Sequence, residues 1–569
     1  MSRMRSGLLR DVGESMQPLS DLQRLAAKEI PGNLIVSAPP GSGKTRTLIA
    51  RAQHKIKTLP KWRTLALITY TNAGADEIEE RLPPDCPVFL GTIHRFCLEF
   101  ILRPFSWLEK WPRHRLIKPE EVSSLVAERD WDLGDNPQEV LNSIRKRPDG
   151  SIDPGGNWAP SIPLEQVASA YWSFLDRCGA VDFNEILFRS FSLLSRNVFI
   201  GKSLANFFYE ILVDEFQDTS ELQFRMLMEI HKNGPTTFFL VGDSRQSILR
   251  FAGAIRDSFS VAKIAFAAEE VVLRQVYRST DHIVRGYRSL FQDHPEVENC
   301  SSCKSGPQQI IVAPDGHPHH DMRLLAAIEW LHKSCNVELG KIAILSTRWR
   351  DGLEASVGLR SRFPVVGLGA LPHPMKNLRG SSFELLRSVA KFNVLPSLSS
   401  LRGLIRAFEV RLLEVGSNLN QVTFHQTLNR MISEVAQIDR DTNVIAGLHA
   451  IRTIFESSIC ASHSELAEIS GAIPGREAAQ WSLGKYFSAL AGEGGIWINV
   501  IHQAKGLEFE AVILDHVDRG RIPYQKYVGG FPDKFAPLKP DDLEDGRNLL
   551  YVGMSRARKF LILFHSSTV

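Results

Sequence analysis

Short apolar runs that break abruptly into glycine or polar residues recur along the chain: Leu34-Ile35-Val36, Leu65 to Ile68, Val88-Phe89-Leu90, Ile211-Leu212-Val213, Thr236 to Val241 and Val271 to Arg274. Runs of this kind predict strands of a parallel sheet, where both faces are covered and alternation of polar and apolar residues is lost. A second series, Gln309 to Val312, Ile342 to Leu345, Pro364 to Gly367, Trp497 to Val500, Val512 to Leu514 and Phe560 to Phe564, predicts a second sheet. Two stretches interrupt the pattern. From about Phe100 to Asp176 and from about Leu371 to Gly494 strand signals vanish. Helical spacing replaces them, as in Phe383-Leu385-Leu386-Val389 and Leu404-Ile405-Phe408-Val410. The fold class predicted is α/β, two parallel-sheet lobes with two mainly helical insertions.

The strand ends carry the chemistry. Leu34-Ile35-Val36 runs into Ala38-Pro39-Pro40-Gly41-Ser42-Gly43-Lys44-Thr45 and then a helix from Arg46 to Lys57, the strand, loop, helix order of a phosphate-binding loop. Gly41 and Gly43 open backbone conformations that let successive N–H groups converge on phosphate oxygens. Lys44 would reach the β- and γ-phosphates and the Thr45 hydroxyl would hold Mg²⁺. Ile211-Leu212-Val213 ends in Asp214-Glu215, one carboxylate for the metal and the next for an attacking water. The strand Thr236 to Val241 ends in Gly242-Asp243-Ser244-Arg245-Gln246, which places the Gln246 amide where it can sense a γ-phosphate. Arg278, after the sixth run, could stabilise charge on the transferred phosphoryl group. Upstream, Ser20 can cap a helix that presents Gln23 to the loop, and Tyr70, Thr92 and His94 stand at strand ends where ligands of open α/β sheets bind. Near the C-terminus, one helix carrying both Arg547 and Arg556 is expected before the closing strand.

Composition narrows the picture only slightly. The 569 residues are 43% hydrophobic and 23% charged, which indicates a globular chain of several domains. With a net charge of +3, any nucleic-acid site must be a local groove rather than a basic surface. Seven cysteines and a polar start without a leader point to reduced thiols and a cytoplasmic protein, and no apolar run approaches the length of a membrane span. Cys300 and Cys303 followed by His317, His319 and His320 come near a zinc-finger spacing, but the predicted strand from Gln309 separates the two halves, so no metal is expected there.

The ordered blocks resemble the superfamily 1A DNA helicases of the UvrD/Rep/PcrA type. The resemblance implies two RecA-like lobes: 1A over residues 1–100 and 181–275, with insertion 1B over 101–180; 2A over 276–370 and 495–569, with insertion 2B over 371–494. It also implies an ATP hydrolase and 3′-to-5′ DNA helicase. Gln23 would read adenine, Tyr277 would stack on it, Glu508 would lie near the ribose, and residues Ala38 to Arg46 would cradle the phosphates. Lys44, Glu215, Gln246, Arg278 and Arg556 would form the hydrolytic centre, with Thr45 and Asp214 on Mg²⁺. Single-stranded or tailed DNA would touch Tyr70, Asn72, Thr92, His94, Phe251 and His502. The sequence departs from the family at Leu249, Ala252 and Val276, on the DNA side. This leaves a second expectation, an ATP- and DNA-sensing regulatory subunit of a nuclease complex. The compact chain, which stops close to its last motif without a nuclease domain, also resembles the helicase subunit of Gabija-type antiphage systems. That likeness implies a separate OLD-type nuclease partner.

Overall fold

The computed structural model describes residues 18–566 apart from 84–85, 110–114, 134–136, 156–157, 159, 251–252, 303–309, 316–319, 374–379, 416–418, 519 and 526–535. Two six-stranded parallel sheets dominate it, one in each RecA-like lobe. The first contains β1 (Leu34–Ser37), β2 (Thr64–Thr69), β3 (Val88–Thr92), β4 (Phe208–Val213), β5 (Thr237–Gly242) and β6 (Glu269–Val272), in the order β6-β1-β5-β4-β2-β3. The second contains β7 (Ile310–Asp315), β8 (Ile342–Ser346), β9 (Val365–Val366), β10 (Ile496–Val500), β11 (Phe509–Leu514) and β12 (Ala557–Ser566), in the order β7-β12-β11-β8-β10-β9.

Both sheets are buried on two faces, the physical reason their strands read as continuous apolar runs. In the first, Ile35, Ala66, Ile211 and Phe238 pack into one cluster while Leu34, Leu67, Leu212 and Phe239 pack into another. In the second, Ala343, Leu345 and Val512 face one cluster, and Ile342, Ile344 and Ile513 face the other. The order places the phosphate-loop strand β1 beside β5, and β5 beside β4. Three of the chemistry-bearing strand ends therefore converge at one edge. Register reinforces this, because Ser37 pairs with Gly242 and Val213 with Leu240.

Four helices matter for the site: α1 (Lys44–Ile56), α2 (Asn72–Arg81), α3 (Phe183–Arg196) and α4 (Pro540–Met554). Helix α3 starts on Asp182, whose carboxylate accepts the Glu185 N–H at 2.7 Å. That carboxyl is pushed up to about 6 by burial.

Three sequence expectations are corrected. Strand β6 spans Glu269–Val272 rather than Val271 to Arg274, because the main chain from Glu269 pairs with β1. The stretch between Phe100 and Asp176 does contain strand: Arg145–Lys146 pairs antiparallel with Ile152–Asp153, and Arg115–Leu116 pairs with Ala180–Val181. Two-residue strands are too short for any periodicity to mark them. Arg556 is not on a helix; α4 ends at Met554 and Arg556 lies in the turn into β12. Among the described residues no helix is long and apolar enough to cross a membrane. Cys303, His317 and His319 lie outside the described residues, as does the His320 side chain.

Candidate active site

The phosphate loop is built by conformations that its glycines supply. Gly41 has φ +75° and Gly43, the N-cap of α1, has φ +83°. The loop is tied back to the sheet by the Ala38 N–H, which donates to the Gly242 carbonyl at 2.9 Å, and is closed by the Ser42 hydroxyl on the Pro39 carbonyl at 2.7 Å. Gln23 sits against it, buried. Its Nε2 donates to the Ser42 carbonyl at 2.8 Å while its Oε1 accepts the Ser20 N–H at 3.0 Å, completing a capping box. One N–H and one lone pair remain for a base edge.

A segment fastened to the second lobe presses on the loop from the other side. The Tyr277 N–H donates to the Gly41 carbonyl at 2.8 Å, and a Cβ on Gly41 would fall 2.5 Å from the Arg278 Cβ. The same segment is held to β12 by the Ser279 hydroxyl on the Ala557 carbonyl at 2.6 Å and by the Thr280 N–H on the Arg558 carbonyl at 2.9 Å. Arg278 Nε lies 2.6 Å from Glu508, so the arginine expected at the phosphates and the acid expected at the ribose are paired with each other.

Between the lobes lies a dense charge cluster. Lys44 is lowered from the ordinary lysine range by burial, with Glu215 and Asp243 opposing the shift. Glu215, in a left-handed conformation at φ +51°, would be raised by burial, yet Lys44, Lys505 and Arg556, with the Gln217 amide, outweigh it and hold its carboxyl at about 2. Its N–H is accepted by Asp214 Oδ1 at 3.0 Å. Gln246 is clamped from both lobes: its Nε2 donates to Asp243 Oδ2 at 2.9 Å, and its Oε1 accepts from Arg556 Nη2 at 3.0 Å. Arg556 itself is almost fully buried, and burial, followed by the neighbouring Arg278, depresses it to about 9.

Lys505 was missed as a functional residue by sequence reasoning, although it stands only three positions after His502. From the second lobe its Nζ pairs with Asp218, donates to the Gln246 carbonyl at 3.0 Å, and lies 3.9 Å from Glu215. Gln217, Asp218 and Tyr551 were missed too. The Gln217 amide donates to Glu215 and accepts the Asp243 N–H, and Tyr551 donates to Asp243 at 3.2 Å. Side chains of such ordinary type carry no sequence signal of their own.

Next to this cluster, above the C-terminal strand ends, a cavity of about 380 Å³ runs to the hairpin Arg145–Asp153. Tyr70, His94 and Phe183 line it together with Asp214 and Glu215. Tyr70 and Phe183 are exposed large aromatics, and His94 stands edge-on to Phe183 at 5.2 Å. Burial pushes His94 down to about 4, so it is neutral at pH 7 and can meet a phosphate only through a hydrogen bond. Burial and Lys505 lower His502 as well. Thr92 is used locally, its hydroxyl accepting the Arg95 N–H at 3.4 Å as a helix cap. Phe251 and the side chain of Asn72 lie outside the described residues. Phe183 was not among the aromatics expected to meet DNA; it follows the capping Asp182 directly and is brought to the cavity by the start of α3.

Fold and cleft together define a two-lobed RecA-like ATPase of the P-loop type. Residues 19–266 match the UvrD/REP helicase N-terminal domain, and residues 483–568 match the UvrD-like helicase C-terminal domain. The chain is 23% identical to the ATP-dependent DNA helicase PcrA of Bacillus subtilis, over 96% of this chain and 82% of the relative. It is 24% identical to DNA helicase II of Escherichia coli K12, over 98% and 86%, and 22% identical to the ATP-dependent DNA helicase Rep of the same organism, over 95% and 89%. The chain carries both UvrD-like helicase domains, is similar to these helicases along almost its whole length, and is an ATP-dependent DNA helicase enzyme.

Proposed function

We propose that the chain is a 3′-to-5′ single-stranded DNA translocase and helicase that couples ATP hydrolysis to lobe closure, in DNA repair or antiphage defence. One observation carries the reading: the Gln246 amide, at the end of a first-lobe strand, is bonded to Arg556 of the second lobe. A sensor held from both sides responds to lobe closure as well as to the nucleotide.

In this reading the lobes are 1–100 with 181–275 and 276–370 with 495–569, and the two helical insertions lie between their halves. Lys44 and the loop N–H groups bind the β- and γ-phosphates, Arg278 and Arg556 stabilise developing charge from the other lobe, and Gln246 orients the reacting groups. Glu215, fully ionised at pH 7, accepts the proton of the attacking water. Thr45 and Asp214 would hold Mg²⁺; their hard oxygens suit an ion that keeps several waters and takes substrate oxygens. When bound it neutralises charge between the β- and γ-phosphates. Two protein oxygens are enough for an ion held in this shared way, and among the described residues no group of three or more His, Cys, Asp or Glu could hold a metal alone.

Tyr70, Phe183 and His94 provide a base-stacking platform for single-stranded DNA beside the cleft, which suits sequence-tolerant binding. A second reading, a regulatory subunit of an OLD-type nuclease with weak unwinding, draws on the family's DNA-side positions. Val276 is fully buried and Leu249 packs against the same second-lobe cluster. The test is ATP turnover with and without single-stranded DNA, alongside strand separation of a 3′-tailed duplex, on wild type and Lys44→Ala. DNA-stimulated turnover with unwinding, both abolished in Lys44→Ala, supports the first reading. Stimulation without unwinding supports the second, and turnover retained by Lys44→Ala refutes the site.

A further inference from the structure

Away from the cleft the lobes are joined by a second, mainly ionic set of contacts. Three arginines follow β5 on the first lobe. Arg250 Nη1 lies 3.1 Å from Asp545 and its Nη2 pairs with Glu544. Arg256 pairs with Asp541. Arg245 Nη2 reaches the Asp293 carboxylate at 3.0 Å and its carbonyl at 2.9 Å.

The acids are not scattered. Asp541, Glu544, Asp545 and Asn548 stand at spacings that share one face of α4, with Tyr551 one turn further on. Asn548 donates to the Ser247 carbonyl at 3.0 Å. Two residues past the end of the helix comes Arg556, on Gln246. Helix α4 and the turn that follows it therefore grip the loop Asp243–Arg256 at two places, by Tyr551 and Arg556 near the loop's start and by the acids near its end. Arg250, with a side chain only 15% exposed, immediately precedes Phe251 in sequence. Its guanidinium is shielded from solvent on one side, while Glu544 and Asp545 are about half exposed, so the pairing is less screened than one between two exposed side chains. Of the three acids, Asp541 lies in the first turn of α4, where the helix dipole also favours negative charge.

We propose that Arg250 is a positioning residue: its pairing with Glu544 and Asp545, braced by Arg256 on Asp541, makes the described parts of the loop, Asp243–Arg250 and Gly253–Arg256, move with helix α4, so that the nucleotide-sensing end at Gln246 and the far end, where Gly253 lines the aromatic cavity, respond together. The proposal rests on the ATPase and DNA reading given above. With the latch intact, engagement of Gln246 by Arg556 carries the far end of the loop with it. With the latch broken, the inner contacts form while the far end stays behind. Binding of ATP then survives and its stimulation by DNA does not.

The experiment compares basal and DNA-stimulated ATP turnover, at saturating oligonucleotide, in wild type, Arg250→Glu, and Arg250→Glu combined with Glu544→Arg and Asp545→Arg. Arg250→Glu is expected to cut the stimulation ratio about tenfold while KM for ATP changes less than about twofold, and the charge-swapped variant to recover at least about a third of the ratio. Asp541→Lys alters a half-exposed pair that the fold does not need, and is expected to lower the ratio about threefold. A ratio within about twofold of wild type in Arg250→Glu, or a charge-swapped variant no better than Arg250→Glu, overturns the latch. Should Arg250→Glu not fold, an unchanged ratio in Asp541→Lys overturns it. Absence of DNA stimulation in wild type overturns the underlying reading and the latch with it; normal wild-type stimulation with an unchanged Arg250→Glu overturns the latch alone.

Discussion

Replacing Glu215 by Gln tests the electrostatics of the cleft without changing its shape. The carboxyl is held at about 2 against an ordinary value of 4.5, so the cations around it, net of burial, stabilise its charged form by about 3 kcal/mol. A carboxylate depressed in the folded state contributes stability that is fully present above about pH 4.5 and is lost as pH falls toward about 2. Glu215→Gln should therefore lower the melting temperature of the nucleotide-free protein by about 2 to 3 °C, by a constant amount between about pH 5.5 and 8. Lys44, Lys505 and Arg556 are then left facing one another with one fewer anion. ATP supplies negative charge to the same cations, so adding ATP with Mg²⁺ should raise the melting temperature of the variant more than that of wild type. Turnover should fall about 10²- to 10³-fold, the usual share of a general base. Differential scanning fluorimetry with a coupled ATPase assay reads all three quantities. A variant that melts within about 1 °C of wild type without nucleotide, or that turns over within about tenfold of it, would refute this account of the cluster.

Gly41→Ala places a side chain at φ +75°, 2.5 Å from the Arg278 Cβ, and so separates the phosphate loop from the second-lobe segment. We expect KM for ATP to rise about tenfold, and a KM within about twofold of wild type would show that the loop and Arg278 do not need their close approach. Tyr70→Ala and Phe183→Ala should each weaken binding of a single-stranded oligonucleotide by about 1 to 3 kcal/mol, read by fluorescence anisotropy, with the basal ATP rate as control; unchanged affinity in both removes the aromatic cavity from the DNA path.

Much of the fold was legible because its signals are local. A strand buried on both faces must be an apolar run, and a chain that turns sharply onto phosphates must place glycines at Gly41 and Gly43, so the two sheets and the loop could be read residue by residue. The cap on Ser20 that presents Gln23 to the loop belongs to the same kind of evidence. The two-residue strands at Arg145–Lys146 and Ile152–Asp153 escaped because alternation needs several residues to become visible. The end of α4 escaped for a different reason: helical spacing continues through Arg556, but the chain has to enter β12 beside β11, and pairing of Phe509 with Ala557 sets where that strand begins.

By itself, then, the sequence determined the α/β class, the phosphate loop, the acidic strand end at Asp214-Glu215 and the order of the blocks, since each depends on neighbours within a few residues. Only the tertiary structure decided which of those groups act together. Gln246 meets Arg556 across 310 positions, Asp218 meets Lys505 across 287, and Arg250 meets Glu544 across 294. Hydrophobic periodicity records which side of an element is buried and carries no record of its charged partner. Those pairings exist only once two independently built lobes are brought together, and the chemistry of the cleft resides in them.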